Sequence, residues 1–151
     1  MRFLFLGLLA LSFSSCLTPP DCLVTATNRL TIHFYKKVVT NSRVTYKDTA
    51  MNFLYIKVSG TDSIYYQNVS TAIVKLPVNT RSDRTTFTLY QPGKSDTVAV
   101  TYQARNLMIS PECGAYVYYQ NLYVPGSSYA NVVIASNLLS TSVATNIEVR
   151  F

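Results

Sequence analysis

The stretch TTFTLYQPGKSDTVAVTY, residues Thr85–Tyr102, decides the fold. Phe87 and Leu89 alternate with threonines, and Val98, Val100 and Tyr102 alternate with Ala99 and Thr101. An apolar side chain at every second position is the mark of a strand with one face buried. Between the two runs lies QPGKSD, whose proline, glycine and aspartate each favour turning the chain, for different reasons. The stretch therefore predicts a β-hairpin with Phe87 and Leu89, and Val98, Val100 and Tyr102 across from them, facing one core.

The same period runs outward from this hairpin. In RLTIHFY, Leu30, Ile32 and Phe34 share a face opposite Arg29, Thr31, His33 and Tyr35. NFLYIKV groups Leu54, Ile56 and Val58 against Phe53, Tyr55 and Lys57, and AIVKLPV is closed by Pro77, which suits a strand end or an edge. GAYVYYQNLYV, NVVIASNLL and the terminal NIEVRF, with Ile147, Val149 and Phe151 alternating, complete the series. NLLSTSVATN is the one place left for a short helix. Many short strands bounded by Gly, Pro, Asn, Ser and Asp argue for an all-β, immunoglobulin-like antiparallel β-sandwich, a single domain over residues 28–151. The chain has no tryptophan, so the Cys–Trp–Cys core of antibody domains is excluded. With 48% hydrophobic and 13% charged residues, it is not a disordered tail.

The amino end follows a different logic. In MRFLFLGLLALSFSSC, Arg2 precedes the apolar run Phe3 to Leu11 and then small polar residues. That order is a signal peptide, expected over residues 1–15, and the run is far short of the roughly 20 residues of a membrane-spanning helix. Cys16 after Ser14 and Ser15 resembles the lipobox of bacterial lipoproteins, whose cysteine is diacylated, although Phe13 stands where an aliphatic residue is usual. Ordinary secretion, with cleavage after Ser12 or Ser14, is the alternative. Three cysteines decide between them, because an exported chain uses disulfide cysteines in pairs. If Cys16 carries lipid, Cys22 and Cys113 remain to form a disulfide; if it does not, one exported thiol is left over. Residues 16–27 are then the lipidated cysteine and a tether stiffened by Pro19 and Pro20. Leu17, where an aspartate retains some lipoproteins at the inner membrane, points to an outer-membrane lipoprotein, and the lack of an acidic run after Cys16 to one facing the periplasm.

The lipobox cysteine, a second cysteine before RLTIHFY, KLPVNTRSDRTTFTLY, DTVAVTYQARNLMISPECG and the terminal IEVRF resemble, together, an uncharacterised family of small lipoproteins of Bacteroidota-type bacteria with a domain of unknown function. The resemblance implies a bacterial cell-envelope lipoprotein and brings no activity and no catalytic residues with it.

The residues themselves offer little for catalysis. His33 is the only histidine and falls on the outer face of its strand; no GxSxG elbow is present to supply a serine partner. Asp21, Asp48, Asp62, Asp83, Asp96, Glu112 and Glu148 are scattered through loops and strand ends, with no spacing of an acid–base pair or a calcium loop. Zinc needs clustered Cys and His, and phosphate loops need clustered glycines; neither occurs. The expectation is no enzyme, no cofactor and no metal. Two features point to binding. Twelve tyrosines include Tyr116, Tyr118, Tyr119 and Tyr123, a face able to anchor a protein or stack on sugars. The formal charge of +6, falling to +5 without the leader, includes Lys36, Lys37, Arg81 and Arg84. Nucleic acid is not expected as a partner in this compartment. The sequence thus predicts a membrane-anchored, non-enzymatic protein-binding or structural module, held by its amino-terminal lipid beside an envelope protein partner; the alternative is a glycan- or lipid-binding module using the tyrosine-rich face.

Overall fold

The structure is a computed structural model that describes Cys22 and residues 24–151. The expected signal peptide, Cys16 and the tether as far as residue 21 lie outside the described residues. The predicted hairpin is formed by β8 (Arg84–Gln91) and β9 (Lys94–Ser110), paired from Arg84↔Thr101 to Gln91↔Lys94. Its turn is tighter than the six residues of QPGKSD suggest: Pro92 and Gly93 alone connect the strands. Gly93 sits at φ 77°, a left-handed conformation that glycine adopts without a Cβ clash. Phe87, Leu89, Val98, Val100 and Tyr102 are all buried, as the alternation requires.

The hairpin is the centre of one sheet. β4 (Tyr55–Val58) and β5 (Ile64–Tyr65) extend it on the β8 side, and β10 (Gly114–Ser127) on the β9 side. The second sheet is built on β1 (Arg29–Thr40). It pairs with β12 (Ile147–Arg150) on one side and, along the other, with β7 (Ile73–Pro77) and then β2 (Arg43–Asp48); β11 (Val132–Ile134) flanks β12. Every pairing is antiparallel except β1–β12, where the first and last strands run parallel from Ile32↔Ile147 to Tyr35↔Arg150. A short two-stranded sheet, β3 (Met51–Phe53) with β6 (Val69–Thr71), closes one end. The core between the sheets holds Leu30, Ile32, Phe34, Val74, Leu76, Ile147 and Val149 from one and Ile56, Val58, Phe87, Leu89, Val98 and Val100 from the other. Each such side chain, fully buried, stabilises the fold by roughly 1.5–3 kcal/mol. This is the all-β sandwich the period-two pattern predicts.

The structure departs from the sequence-based expectations at five places, each for a local reason. NFLYIKV is not one strand: at Leu54 the backbone leaves the β3–β6 sheet for the main one, its N–H bonded to Tyr90 O and its carbonyl accepting from Asn68 N. The break resets the alternation, so Phe53 is buried with Ile56 and Val58, and Leu54 is 42% exposed. His33 points to the outer face of β1 but is covered by Tyr35, whose ring stacks on it at 4.2 Å, and it is only 8% exposed. NLLSTSVATN forms turns and isolated bridges, Ala26↔Ser140 and Tyr119↔Leu139, instead of a helix. Phe151 lies beyond the end of β12 and is exposed, whereas Ile147 and Val149 are buried. Finally, Cys22 and residues 24–27 are held to the domain, where a tether is expected. Cys22 is disulfide-bonded to Cys113 with Cα atoms 5.7 Å apart, Thr25 O accepts from Thr141 N, and Ala26 bridges Ser140.

The first and second hairpins outgrow the sandwich at opposite ends. β1 starts where Asn28 O accepts from Val78 N, next to the Asn79–Thr85–Tyr102 cluster. It runs toward Tyr129, which lies 6.1 Å from Phe34 and meets Gln91 beside the Pro92–Gly93 turn. Past that end, residues 36–47 continue as a two-stranded β1–β2 ribbon. At the other end, β9 loses its β8 partner after Tyr102 N bonds Asp83 O, and residues 103–118 continue as a β9–β10 ribbon.

A closed ring of hydrogen bonds holds the base of the β9–β10 ribbon. Asn79 N–H donates to Thr85 Oγ1 (2.8 Å), Thr85 Oγ1–H to Tyr102 OH (2.6 Å), and Tyr102 OH to Asn79 O (2.7 Å). Burial raises the Tyr102 phenol above its ordinary pKa, with the Thr85 bond opposing that shift. Tyr102→Phe keeps the ring packing and strips Thr85 and Asn79 of their partner. It should lower stability by about 1–3 kcal/mol in a urea titration, and an unchanged midpoint would contradict this role. Replacing Cys22 and Cys113 together by serine opens a 91-residue loop. The expected loss is about 4 kcal/mol in the chain-entropy account, measured the same way.

Candidate functional site

Three places bring together side chains able to do chemistry or bind. The first is around the lone histidine. His33 Nδ1 is 2.9 Å from Tyr35 OH and 3.5 Å from Thr145 Oγ1. Its Nε2 is 3.3 Å from Asp48 Oδ1, a charge contact that lacks hydrogen-bond alignment, so Nε2 has no hydrogen-bond partner among the described residues. Asp48 reaches the histidine because β2 pairs Asp48 with Tyr35, a register no linear motif reveals. The Asp–His–Tyr chain has the order of a nucleophile relay, but its phenol is set the wrong way. Burial, then the charges of Glu148 and Asp48, raise the Tyr35 pKa, so the hydroxyl holds its proton more firmly than a free phenol. An activated nucleophile needs the opposite shift. The contact of Asp48 with His33 joins β2 to β1.

Besides these three, an open cleft of about 480 Å³ lies between the Thr80–Asp83 loop and β9. Arg81 and Arg105 line it with Gln103, and Asp83 is its one carboxylate, where hydrolysis of a glycosidic bond uses two. Its tyrosine, Tyr102, is buried in the hydrogen-bonded ring described above. No group of three or more His, Cys, Asp or Glu able to hold a metal ion occurs among the described residues.

The second and third places are the two ribbons. In β10, alternation sends Tyr116 and Tyr118 to one face and Val117 and Tyr119 to the other. Tyr119 is buried, edge-on to Tyr102 at 5.7 Å. Asn121, at φ 56°, then makes a bulge that shifts the register before Tyr123, so that Leu122 is buried and Tyr123 is 61% exposed. The four tyrosines expected to share a face are thus divided: Tyr119 belongs to the core, and Tyr116, Tyr118 and Tyr123 are left outside. What they share the ribbon with could be found only from the register. Tyr118 lies opposite Arg105 and Tyr116 opposite Leu107. Leu107, Met108, Ile109 and Val117 are all exposed. At the tip, Cys113 N–H donates to Ser110 Oγ, Gly114 turns the chain at φ 75°, and Cys113 is joined to Cys22.

The β1–β2 ribbon has the opposite character. Its register sets Lys36 directly across from Lys47, Lys37 across from Tyr46, Val39 across from Val44 and Thr40 across from Arg43. Like charges directly opposite one another destabilise a strand pair. The described carboxylates nearest in the sheet are already engaged, Asp48 with His33 and Glu148 with Arg150 (2.6 Å), and none of the described ion pairs involves Lys36, Lys37, Arg43 or Lys47. Alternation puts Lys36, Lys47 and Arg43 on one face and Lys37, Tyr46 and the exposed Val39 and Val44 on the other, and the Arg150 guanidinium lies 4.6 Å from the Tyr46 ring. Lys36 and Lys37 are visible in the sequence as a basic pair, but Arg43 and Lys47 join them only through the pairing.

Comparison with known proteins returns one result. No curated protein and no solved structure matches the chain significantly. A family model does match residues 53–150, from Phe53 at the end of β3 to Arg150 at the end of β12, and its description is Family of unknown function (DUF6452). The match spans the central hairpin, the β9–β10 ribbon, Cys113 and the last strand, well over half of the chain, so the protein belongs to this family of unknown function.

Proposed function

We propose that the chain is a membrane-anchored lipoprotein of the bacterial envelope, of a Bacteroidota-type organism, acylated at Cys16, and that it works as a non-enzymatic module binding an acidic envelope protein on the β1–β2 ribbon. The observation that carries the binding surface is the unneutralised Lys36↔Lys47 pair with Arg43 on the same face and Lys37 on the other. A strand pair keeps like charges face to face at a cost to its own stability, and an acidic partner relieves it. On the ribbon's other face, exposed Val39 and Val44 beside Lys37 and Tyr46 favour a folded protein that grips the ribbon over a bare polyanion, since interfaces combine apolar and charged contacts. The raised Tyr35 pKa beside His33 favours a structural role for the one relay-like cluster. Anchoring is supported by the Cys22–Cys113 bridge, which leaves Cys16 as the remaining cysteine of three. Because the ribbon leaves the sandwich at the end away from that bridge, an anchored molecule holds it toward the periplasm, on the outer-membrane assignment.

The alternative, lipid binding by the tyrosine-rich ribbon, is favoured by one observation, the attachment of the amino-terminal segment to that ribbon's tip. Glycan binding has less support, since the outer tyrosines do not line a groove.

Lys36→Glu separates the partner from the fold. It converts a like-charge pair into Glu–Lys, so thermal stability should hold or rise slightly. A photo-crosslinker at exposed Thr45, on the face of Lys36 and Lys47, in the native acylated protein should capture one envelope protein, with yield reduced about tenfold by Lys36→Glu, a change of about 1.4 kcal/mol in binding. Equal capture by both proteins contradicts the proposed surface.

A further inference from the structure

The β9–β10 ribbon is apolar, projecting and covalently fastened to the segment that follows Cys16. Its face is amphipathic in a particular way. Leu107 of β9 lies on the same side as Arg105, across from them stand Tyr116 and Tyr118 of β10, and exposed Ile109 follows at the register shift next to the tip. Aliphatic side chains with tyrosines and an arginine at their margin are the composition of a surface that rests at a membrane–water boundary. The chain outside the described residues says what such a face meets. Five residues, 17–21, separate Cys16 from Cys22, and an extended chain covers at most about 3.6 Å per residue, so the span is about 21 Å at its longest. Cys22 is bonded to Cys113 at the ribbon's tip, Cα to Cα 5.7 Å. A lipid on Cys16 therefore keeps this ribbon, and no other part of the sandwich so tightly, close to the bilayer.

We propose that the β9–β10 ribbon lies on the membrane that anchors the protein, with Leu107 and Ile109 entering the boundary between headgroups and acyl chains, Tyr116 and Tyr118 at headgroup level, and Arg105 against lipid phosphate. This rests on the acylation of Cys16 proposed above. The ribbon lies flat and does not plunge. The outer edge of β9 beyond Tyr102 has no strand partner among the described residues, and unpaired backbone groups do not enter hydrocarbon. Glu112 in the turn likewise keeps the tip in water or among headgroups, as an exposed carboxylate must. The lipid surface thus takes up apolar area that the sandwich leaves uncovered, and the β1–β2 ribbon, at the opposite end, is turned away from it.

The chain contains no tryptophan, so a single introduced one reports its own surroundings. Leu107→Trp and, as control, Val39→Trp would be made in the native acylated protein and reconstituted in vesicles of phosphatidylethanolamine and phosphatidylglycerol carrying acyl-brominated lipid. Ile109→Trp serves as a second reporter should Leu107→Trp disturb folding. Flotation with the vesicles tests the anchor, and fluorescence tests the ribbon. Both are expected: the protein floats, emission at position 107 shifts to the blue and is quenched at least twofold more than at position 39, and cysteine-to-serine change at 22 and 113 reduces that quenching without abolishing flotation. Flotation with equal quenching at 107 and 39 overturns the ribbon's role alone. A blue shift without bromine quenching means burial against protein, such as a second copy, and overturns it as well. Failure to float sinks the anchor and this inference together.

Discussion

The bond between Cys22 and Cys113 is the constraint on which the organisation of this protein turns. Everywhere between the two sheets, strands are held by apolar packing, with Phe34, Phe53 and Phe87 almost wholly removed from water. The β9–β10 ribbon extends past that core, and Leu107, Met108 and Ile109 face water instead of a second sheet. A free two-stranded ribbon is marginal in water. The disulfide supplies covalently, at the tip, what packing supplies elsewhere, while the Asn79–Thr85–Tyr102 ring secures the base. The same bond converts a tether into a positioning device, because a segment that would hang from residue 28 is instead fixed to the far strand of the opposite sheet.

From this follows a polarity along the molecule. One end carries the apolar ribbon, the disulfide and the attachment of the amino-terminal segment; the other carries the basic β1–β2 ribbon. The parallel β1–β12 pairing links them mechanically. β1 contributes Leu30, Ile32 and Phe34 to the core and continues without a break into Lys36 and Lys37, so the basic ribbon is rooted in the most buried strand. A load on that ribbon is transmitted to the sandwich through the continuous strand β1.

How much of this could be read from the chain depended on whether a signal was local. Thr85–Tyr102 gave the hairpin and its five core residues because alternation and a Pro-Gly turn sit side by side in the sequence. The pairing of Cys22 with Cys113 is legible by counting once Cys16 is set aside for lipid. Leu54 was misplaced because alternation is blind to a change of sheet, which shifts the phase without changing the pattern. His33 was assigned the correct face but not its cover, since Tyr35 and Thr145 reach it through side-chain packing. Tyr119 looked like its neighbours Tyr116 and Tyr118, and one step of strand parity put it in the core. The two ribbons were hidden for a deeper reason: projection beyond a partner strand is a property of unequal strand lengths in the folded sheet. The Lys36↔Lys47 opposition is likewise a property of register.

The polarity of the molecule depends on how its three cysteines are used. The direct measurement is peptide mass spectrometry, without reduction, of the protein extracted from its own membranes. The account predicts a peptide pair joined through Cys22 and Cys113 and an amino-terminal Cys16 carrying the mass of its acyl chains. A bridge from Cys16 to either partner, or an unmodified Cys16 thiol, would contradict it.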